Sequence, residues 1–305
     1  MKSKYLFLTV DADTEKIRYL AKFISQFQND DRSLIGNFGY STTEIENQLK
    51  EYINKQPQSF FQIAKDDSGE FRGFFGVIFS DPNTVRMFGP YATEIENEWG
   101  EIAETFFKKI LEKYKLWKDI KFRVAFTPKN KLLKRFYKTH GFEQYNAERT
   151  MVLEWHEWQR RRSEINDLSN GSVKIRPYRD TDFLDFLNIH PKGAYFNAHY
   201  IVQNLNALHS LIMAVLDDRV VGYVYYEDFK ADGFTDICFL NVLQSAQNKK
   251  IGTKLTKKAI EDSFKKSEIK KIEISVRVDN TAAFRLYQRL GFKDTITYLA
   301  YELKF

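Results

Sequence analysis

The residues most able to do chemistry lie between Leu240 and Lys258, where an apolar run gives way to Gln247-Asn248-Lys249-Lys250-Ile251-Gly252-Thr253 and then to a helical pattern. A strand that feeds a helix start is a natural anion cradle, because the first-turn N–H groups have no intrahelical partner and point along the axis. Gly252 lets the backbone approach a bulky anion such as a diphosphate. Lys249, Lys250, Lys254, Lys257 and Lys258 bring five positive charges before the first acid, Glu261. A lysine-rich helix face is also what a solvated surface looks like. Cations at a helix start, however, oppose its dipole, and an anion would relieve that conflict.

Alternating elements surround this loop. Val173 to Pro177 reads as a strand, and Asp180 or Thr181 caps a short helix with Phe183, Leu184 and Leu187 on one face. A second helical stretch follows near Asn197 to Leu208. Three β-branched and aromatic runs come next, Leu211–Leu216, Val220–Phe229 and Phe234–Val242, with Asp217-Asp218 and Ala231-Asp232-Gly233 as their turns. Residues 250–265 form a long amphipathic helix with Ile251, Leu255, Ala259 and Phe264 inward. Lys271 to Val278 is a strand, Asn280 to Leu290 a helix, and Phe292 to Phe305 a closing strand or hairpin. This order predicts an α/β or α+β sheet covered by helices.

The chain contains this plan twice. Asn130, Tyr137, Gly141 and Phe142 recur as Asn280, Tyr287, Gly291 and Phe292, an offset of 150 residues. Met151, Leu153 and Trp155 alternate as Tyr301, Leu303 and Phe305 do, and Gly73 and Gly222 stand 149 apart in aromatic runs. The duplication predicts a domain over 1–156, a polar linker over 157–171 and a second domain over 172–305. The first copy is an internal control for the loop. Its corresponding stretch carries Glu94, Glu96, Glu98, Glu101 and Glu104 with no base, and Ile102 falls where Gly252 stands. Those carboxylates would repel a diphosphate, so only the second copy is equipped for an anionic ligand.

Together these residues resemble the GNAT superfamily of acetyl-CoA-dependent N-acyltransferases. The family's pyrophosphate loop, Gln/Arg-x-x-Gly-x-Gly/Ala after a strand ending in Val, is met by Val242, Gln247, Lys250 and Gly252, with Lys250 replacing the first glycine. The next signature, Asn-x-x-Ala-x-x-x-Tyr-x-x-x-Gly-Phe, is met by Asn280, Ala283, Tyr287, Gly291 and Phe292. The resemblance covers about 173–305 and reaches the first half through the duplication, a tandem plan that mycothiol-synthase-like proteins also follow. It implies two GNAT-like domains, each a mixed, mostly antiparallel sheet flanked by helices, the first one degenerate.

The resemblance also implies roles. Strand ends at Leu240–Val242 would splay and pair with pantetheine, one N–H polarising the thioester carbonyl. Residues 247 to 253 would hold the diphosphate of acetyl-CoA. Asn280 would contact the pantetheine arm, or cap its helix, or both. Tyr287 would act as general acid toward the departing thiolate, since a phenol stays protonated at neutral pH; a core aromatic is its other reading. For the base, Asp236 lies six residues before Val242, which strand alternation places on the same face. Glu227 and Asp228 are alternatives, as is bulk water, and exposed turn carboxylates would look the same. Cys238 reads as a small core residue, and His190, His199 and His209 fall in the acceptor wall without a metal-ligand spacing. The implied reaction is direct attack of a primary amine of a small molecule, amino acid or peptide on acetyl-CoA in a ternary complex.

Composition sets the outer bounds. The 305 residues are 43% hydrophobic and 29% charged, with 27 Phe and 17 Tyr, enough for two cores. A single cysteine excludes an internal disulfide and a multi-cysteine zinc site, so no metal is expected. The start has too short an apolar stretch for a signal peptide, and no run approaches a membrane span, which predicts a cytoplasmic protein. The net charge of +6 comes without a stacking motif or helix-turn-helix signal, so no nucleic-acid partner is expected. The competing reading is a non-catalytic acyl-CoA sensor or interaction protein on the same fold. Oligomeric state is left open.

Overall fold

The aromatic and β-branched runs become strands, and the amphipathic stretches become helices laid across them. The computed structural model describes all residues except 1–3, 11–13, 37, 56–57, 94–95, 164–172, 195 and 305. The first half contains β1 Leu6–Thr9, α1 Thr14–Gln28, α2 Thr42–Lys55, β2 Phe60–Lys65, β3 Phe71–Asp81, β4 Thr84–Ala92, α3 Glu96–Tyr114, β5 Lys121–Phe126, α4 Lys131–Thr139 and β6 Glu143–Glu154. The second half continues with α5 Trp155–Arg161, β7 Lys174–Pro177, α6 Phe183–Ile189, α7 Ala198–Gln203, β8 His209–Leu216, β9 Arg219–Phe229 and β10 Phe234–Val242. It closes with α8 Ile251–Phe264, β11 Lys271–Arg277, α9 Thr281–Leu290 and β12 Lys293–Lys304.

The chain divides into unit 1, Met1–Ala147 with Thr297–Phe305, and unit 2, Glu148–Ile296. Unit 1 orders its strands β1-β2-β3-β4-β5 and takes its last strand from β12, where Leu299 to Lys304 run antiparallel to Phe126 to Lys121. Unit 2 orders its strands β7-β8-β9-β10-β11 and takes its last from β6, Glu148 to Glu154 lying against Arg277 to Lys271. Among the described residues the one parallel pairing in each unit is β4/β5 or β10/β11. Both sheets are mixed and mostly antiparallel.

The units correct the linear boundaries at 156 and 172. The closing strands of the two copies carry the same alternation, so each fits the other's sheet: Met151 and Leu153 are buried in the core of unit 2, Tyr301 in that of unit 1. The expected linker is also shorter than 157–171. Its first residues form α5, whose Trp158 is buried in unit 2, and the Trp155 N–H donates to the Lys270 carbonyl at 2.8 Å. The remainder of that stretch, 164–171, lies outside the described residues.

In unit 2 strand alternation divides the core between two faces. Val224, Tyr226, Ile237, Ile272 and Ile274 pack with α8 and α9, while Tyr223 and Tyr225 pack with α6 and α7. Helix α6 turns Phe186 and Ile189 inward and leaves Leu184 72% and Leu187 42% exposed, so of the expected face Phe183, Leu184 and Leu187 only Phe183 packs against the core. With only two turns, α6 has room for one inward pair, and the Phe186 ring, 4.8 Å from that of Tyr223, takes it.

Candidate functional site

The site begins as a fork in the sheet of unit 2. Strands β10 and β11 pair in parallel from Phe234↔Lys271 to Ile237↔Ile274 and then part. Beyond that row β10 stays paired with β9 as far as Val242↔Gly222, and β11 stays paired with β6 as far as Arg277↔Glu148. The inner edges from Cys238 to Val242 and from Ser275 to Arg277 therefore face each other without a ladder. An extended ligand with amide groups, such as a pantetheine arm, can use those groups as a strand would.

The loop at the mouth of the fork has the backbone of an anion nest. Asn248 and Lys250 sit at φ 63° and 58°, the left-handed region, on either side of Lys249. Among the described residues no backbone N–H from Asn248 to Thr253 donates to a backbone carbonyl, and the helical ladder starts with the Lys254 N–H on the Lys250 carbonyl at 3.0 Å. The Gln247 side chain donates to the Val242 carbonyl at 3.1 Å and ties the loop to the strand end. Ile251 is buried and anchors the first turn. A Cβ at Gly252 would meet Leu286 Cδ1 at 3.1 Å, so the missing side chain seats the helix start against α9. Lys257 and Lys258 pair along α8 with Glu261 and Asp262 at 3.9 and 2.8 Å. Among the described residues no ion pair engages Lys249 or Lys250, which are exposed, and Thr253 is half-buried beside them.

On α9, Asn280 caps the helix, its side-chain oxygen accepting from the Ala283 N–H at 3.1 Å. Tyr287, one face of α9 further on, is buried, and burial pushes its phenol well above the usual value. Its hydroxyl makes no hydrogen bond to a described residue. The matching Tyr137 of unit 1 is fully buried and donates to the Gly89 carbonyl of β4 at 2.6 Å. One tyrosine is sealed and the other is available.

The α6/α7 face carries a row of carboxylates at the root of the fork. Asp236 on β10 stands opposite Glu227 of β9 and beside Glu273 of β11. Burial, then the charge of Glu273 and to a lesser degree that of Glu227, push Asp236 up to about 7 against the opposing contact of the Cys238 thiol, 3.7 Å from its Oδ2. Tyr225 donates to Glu227 Oε1 at 2.6 Å, and His209 Nδ1 lies 3.8 Å from the same oxygen. Lys271 Nζ holds Glu273 at 2.6 Å. Asp236 does not share a face with Val242. A β-bulge between Ile237 and Phe239 adds a residue, so Cys238 and Phe239 both turn to the α6/α7 side while Leu240 and Val242 join the α8 side. Asp228 is excluded as a base, because it is buried on the α8 side between Lys266 Nζ and the Thr235 hydroxyl.

Two polar residues of this face carry no motif. Asn241 donates to the Ile189 carbonyl at 2.8 Å, which ties the open end of β10 to the end of α6. His190 is buried between the Tyr223 hydroxyl and the Phe196 carbonyl, 2.7 Å from each, and burial lowers its pKa. A carbonyl only accepts, so Nε2 carries the proton and Nδ1 accepts from Tyr223. His199 packs edge-on against Phe183. Among the described residues no group of three or more His, Cys, Asp or Glu side chains is arranged to hold a metal ion.

Residues 173–292 match the family model of the acetyltransferase (GNAT) family, so the second half carries a domain of that family, whose proteins use acetyl-CoA. No curated protein matches the sequence. The fold is similar to that of a GCN5-related N-acetyltransferase from Sphaerobacter thermophilus, TM-score 0.70 and 12% identity over 100% of this chain and 96% of that one. It is similar also to a tandem GNAT protein from the clavulanic acid biosynthesis pathway, TM-score 0.67 and 12% identity over 98% of each chain. A putative acetyltransferase from Pyrococcus horikoshii aligns with TM-score 0.57 and 12% identity over 100% and 91%. At such identities the likeness concerns the fold, and it gives two tandem GNAT folds in one chain. No helix among the described residues is long and apolar enough to cross a membrane.

Proposed function

We propose that unit 2 is an acetyl-CoA-dependent N-acetyltransferase that acts on a primary amine of a small molecule, amino acid or peptide. The observation that carries this reading is the fork after Ile237/Ile274 opening onto a helix start whose N–H groups from Asn248 to Thr253 meet no backbone carbonyl among the described residues. The cosubstrate fits that shape, with the diphosphate on the nest and on Lys249 and Lys250, and the pantetheine amides on the fork-side backbone of Leu240; the Val242 N–H and carbonyl, held by the Asn241 and Gln247 side chains at 3.0 and 3.1 Å, would have to be released to join them. The amide group of Asn280 that capping does not use is left for the same arm. Bound acetyl-CoA supplies the acetyl thioester.

The residues around the fork divide the proton work. A β10 N–H at the fork polarises the thioester carbonyl. Asp236, with a pKa near neutrality, accepts a proton from the incoming ammonium, with Glu227 as the weaker alternative. Tyr287 gives its proton to the leaving sulfur as the N–C bond forms and the C–S bond breaks, the second proton shed by the nitrogen returns to the Tyr287 phenolate through solvent, and the one on Asp236 passes to bulk water. A cosubstrate kept inside the cell places the reaction in the cytoplasm under this reading.

Thiol release from acetyl-CoA with a panel of primary amines tests the proposal, with Tyr287→Phe as the control. Amine-dependent release that falls in the variant is expected. Coenzyme A binding with no turnover on any amine would leave the non-catalytic binder in its place.

A further inference from the structure

Unit 1 contains the same fork. Strand β4 pairs with β5 in parallel only at Thr84↔Lys121, Val85↔Phe122 and Arg86↔Arg123, then runs on to Ala92 without it. Here the gap is filled. Ser33-Leu34-Ile35-Gly36 comes in from the loop between α1 and α2, and Ile35 forms an antiparallel bridge with Phe126 of β5. The Gly36 N–H donates to the Ala125 carbonyl at 2.7 Å, and the Thr127 N–H to the Leu34 carbonyl at 3.4 Å. The opposite edge of β5 is already paired, Leu299 against Phe126, so the bridge lies on the fork side.

The segment is locked as well as paired. Gln28, itself buried, donates from Nε2 to the carbonyls of Ile35 and Phe38 at 2.9 and 3.1 Å. Its Oε1 accepts from the Ile35 N–H at 2.9 Å and from the Tyr91 hydroxyl of β4 at 3.1 Å. Leu34 and Ile35 are buried, and the space at Gly36 is closed by Ala125 and Tyr298, 3.2 Å from an added Cβ. Tyr137 closes the inner end through the Gly89 carbonyl. In unit 2 no described segment bridges to Ser275–Arg277 in this way.

We infer that the fork of unit 1 is a peptide-strand site occupied in cis by Leu34–Gly36, and that it takes no pantetheine arm. The inference rests on the proposal that the fork of unit 2 takes that arm. Backbone amides in an extended chain offer the same alternating donors and acceptors as pantetheine, so one lane serves either occupant and excludes the other. The chain therefore binds one coenzyme A.

Hydrogen exchange on the full chain, with and without coenzyme A, tests the plug directly. The Gly36 and Thr127 amides are expected to be protected on the order of 100-fold or more over an open loop, equally in both states. The matching Arg277 amide should gain protection only with the ligand. Loop-like exchange at Gly36 and Thr127, or protection there that changes with coenzyme A, overturns the inference. Calorimetry with coenzyme A should give one site per chain, abolished by the double variant Lys249→Glu/Lys250→Glu; two sites, or residual binding in that variant, overturns it equally. No heat from the unaltered protein would instead end the functional reading of unit 2, while the exchange data still decide the plug.

Discussion

Tyr137 and Tyr287 occupy one position of the repeat in two chemical states, and the difference is a single acceptor. Tyr137 spends its proton on the Gly89 carbonyl, whereas Tyr287 has no such bond to a described residue. Replacing Tyr287 with Phe should lower kcat by about 10²-fold and leave the dissociation constant of coenzyme A within about twofold, measured by thiol release and calorimetry. Asp236 gives a second test through pH. Its carboxyl must be ionised to accept a proton, and its pKa lies at about 7, so kcat/KM should rise with pH through that value and level off above it. The groups facing Asp236 are Glu227, Glu273, Cys238 and, through Glu227, His209 and Tyr225. A carboxyl whose pKa is raised by folding costs stability as pH rises from about 4, where the unfolded chain ionises it, to about 7, and the cost is complete above that. Asp236→Asn should therefore lose the pH-dependent step and yet raise Tm at pH 8; a lower Tm would contradict the buried-charge account.

At the scale of elements, the nest proposed for the diphosphate combines two requirements that conflict in one residue. Lys250 supplies charge but adopts φ 58°, where a side chain costs about 1 kcal/mol and glycine costs nothing. Lys250→Gly should stabilise unit 2 by roughly 0.5–1 kcal/mol in urea unfolding while weakening coenzyme A binding about threefold to tenfold at low salt. The loop was legible in the sequence because its chemistry is local: Gln247, Gly252 and the lysines are adjacent, and so are the strands that lead to them. The runs at Leu211–Leu216, Val220–Phe229 and Phe234–Val242 match β8, β9 and β10 almost to the residue, since period-two burial writes itself into the chain. What stayed hidden depends on where pairing stops. The bulge at Cys238 shifts Asp236 and Val242 to opposite faces, and nothing in Ile-Cys-Phe-Leu announces an extra residue. Asn241 and His190 act through carbonyls that only the tertiary fold delivers, and Leu34–Gly36 is too short to read as a strand.

For the whole molecule, the decisive fact is which strand completes which sheet. Repeat spacing places Tyr301 with the second copy, yet it is buried in the core of unit 1, stacked on Phe126 at 5.2 Å between ring centres. Tyr301→Ala should cost about 3 kcal/mol and do so in unit 1, read by hydrogen exchange of β5 amides rather than those of β10. Cutting the gene at residue 156 or 172 should likewise give two products that fail to fold alone, because each lacks a strand the other holds. A well-dispersed spectrum from either half would refute this.

That arrangement also orders events during synthesis. Unit 1 leaves the ribosome before unit 2, with its aromatic core and the bare edge of β5, but the residues that cover this edge, Leu299–Lys304, follow the whole of unit 2. It must wait for roughly 150 further residues, a delay on the order of ten seconds at the usual pace of translation. The half that carries no proposed catalytic duty is thus begun before the other and finished after it, and the interval between is when a chaperone would find this protein unguarded.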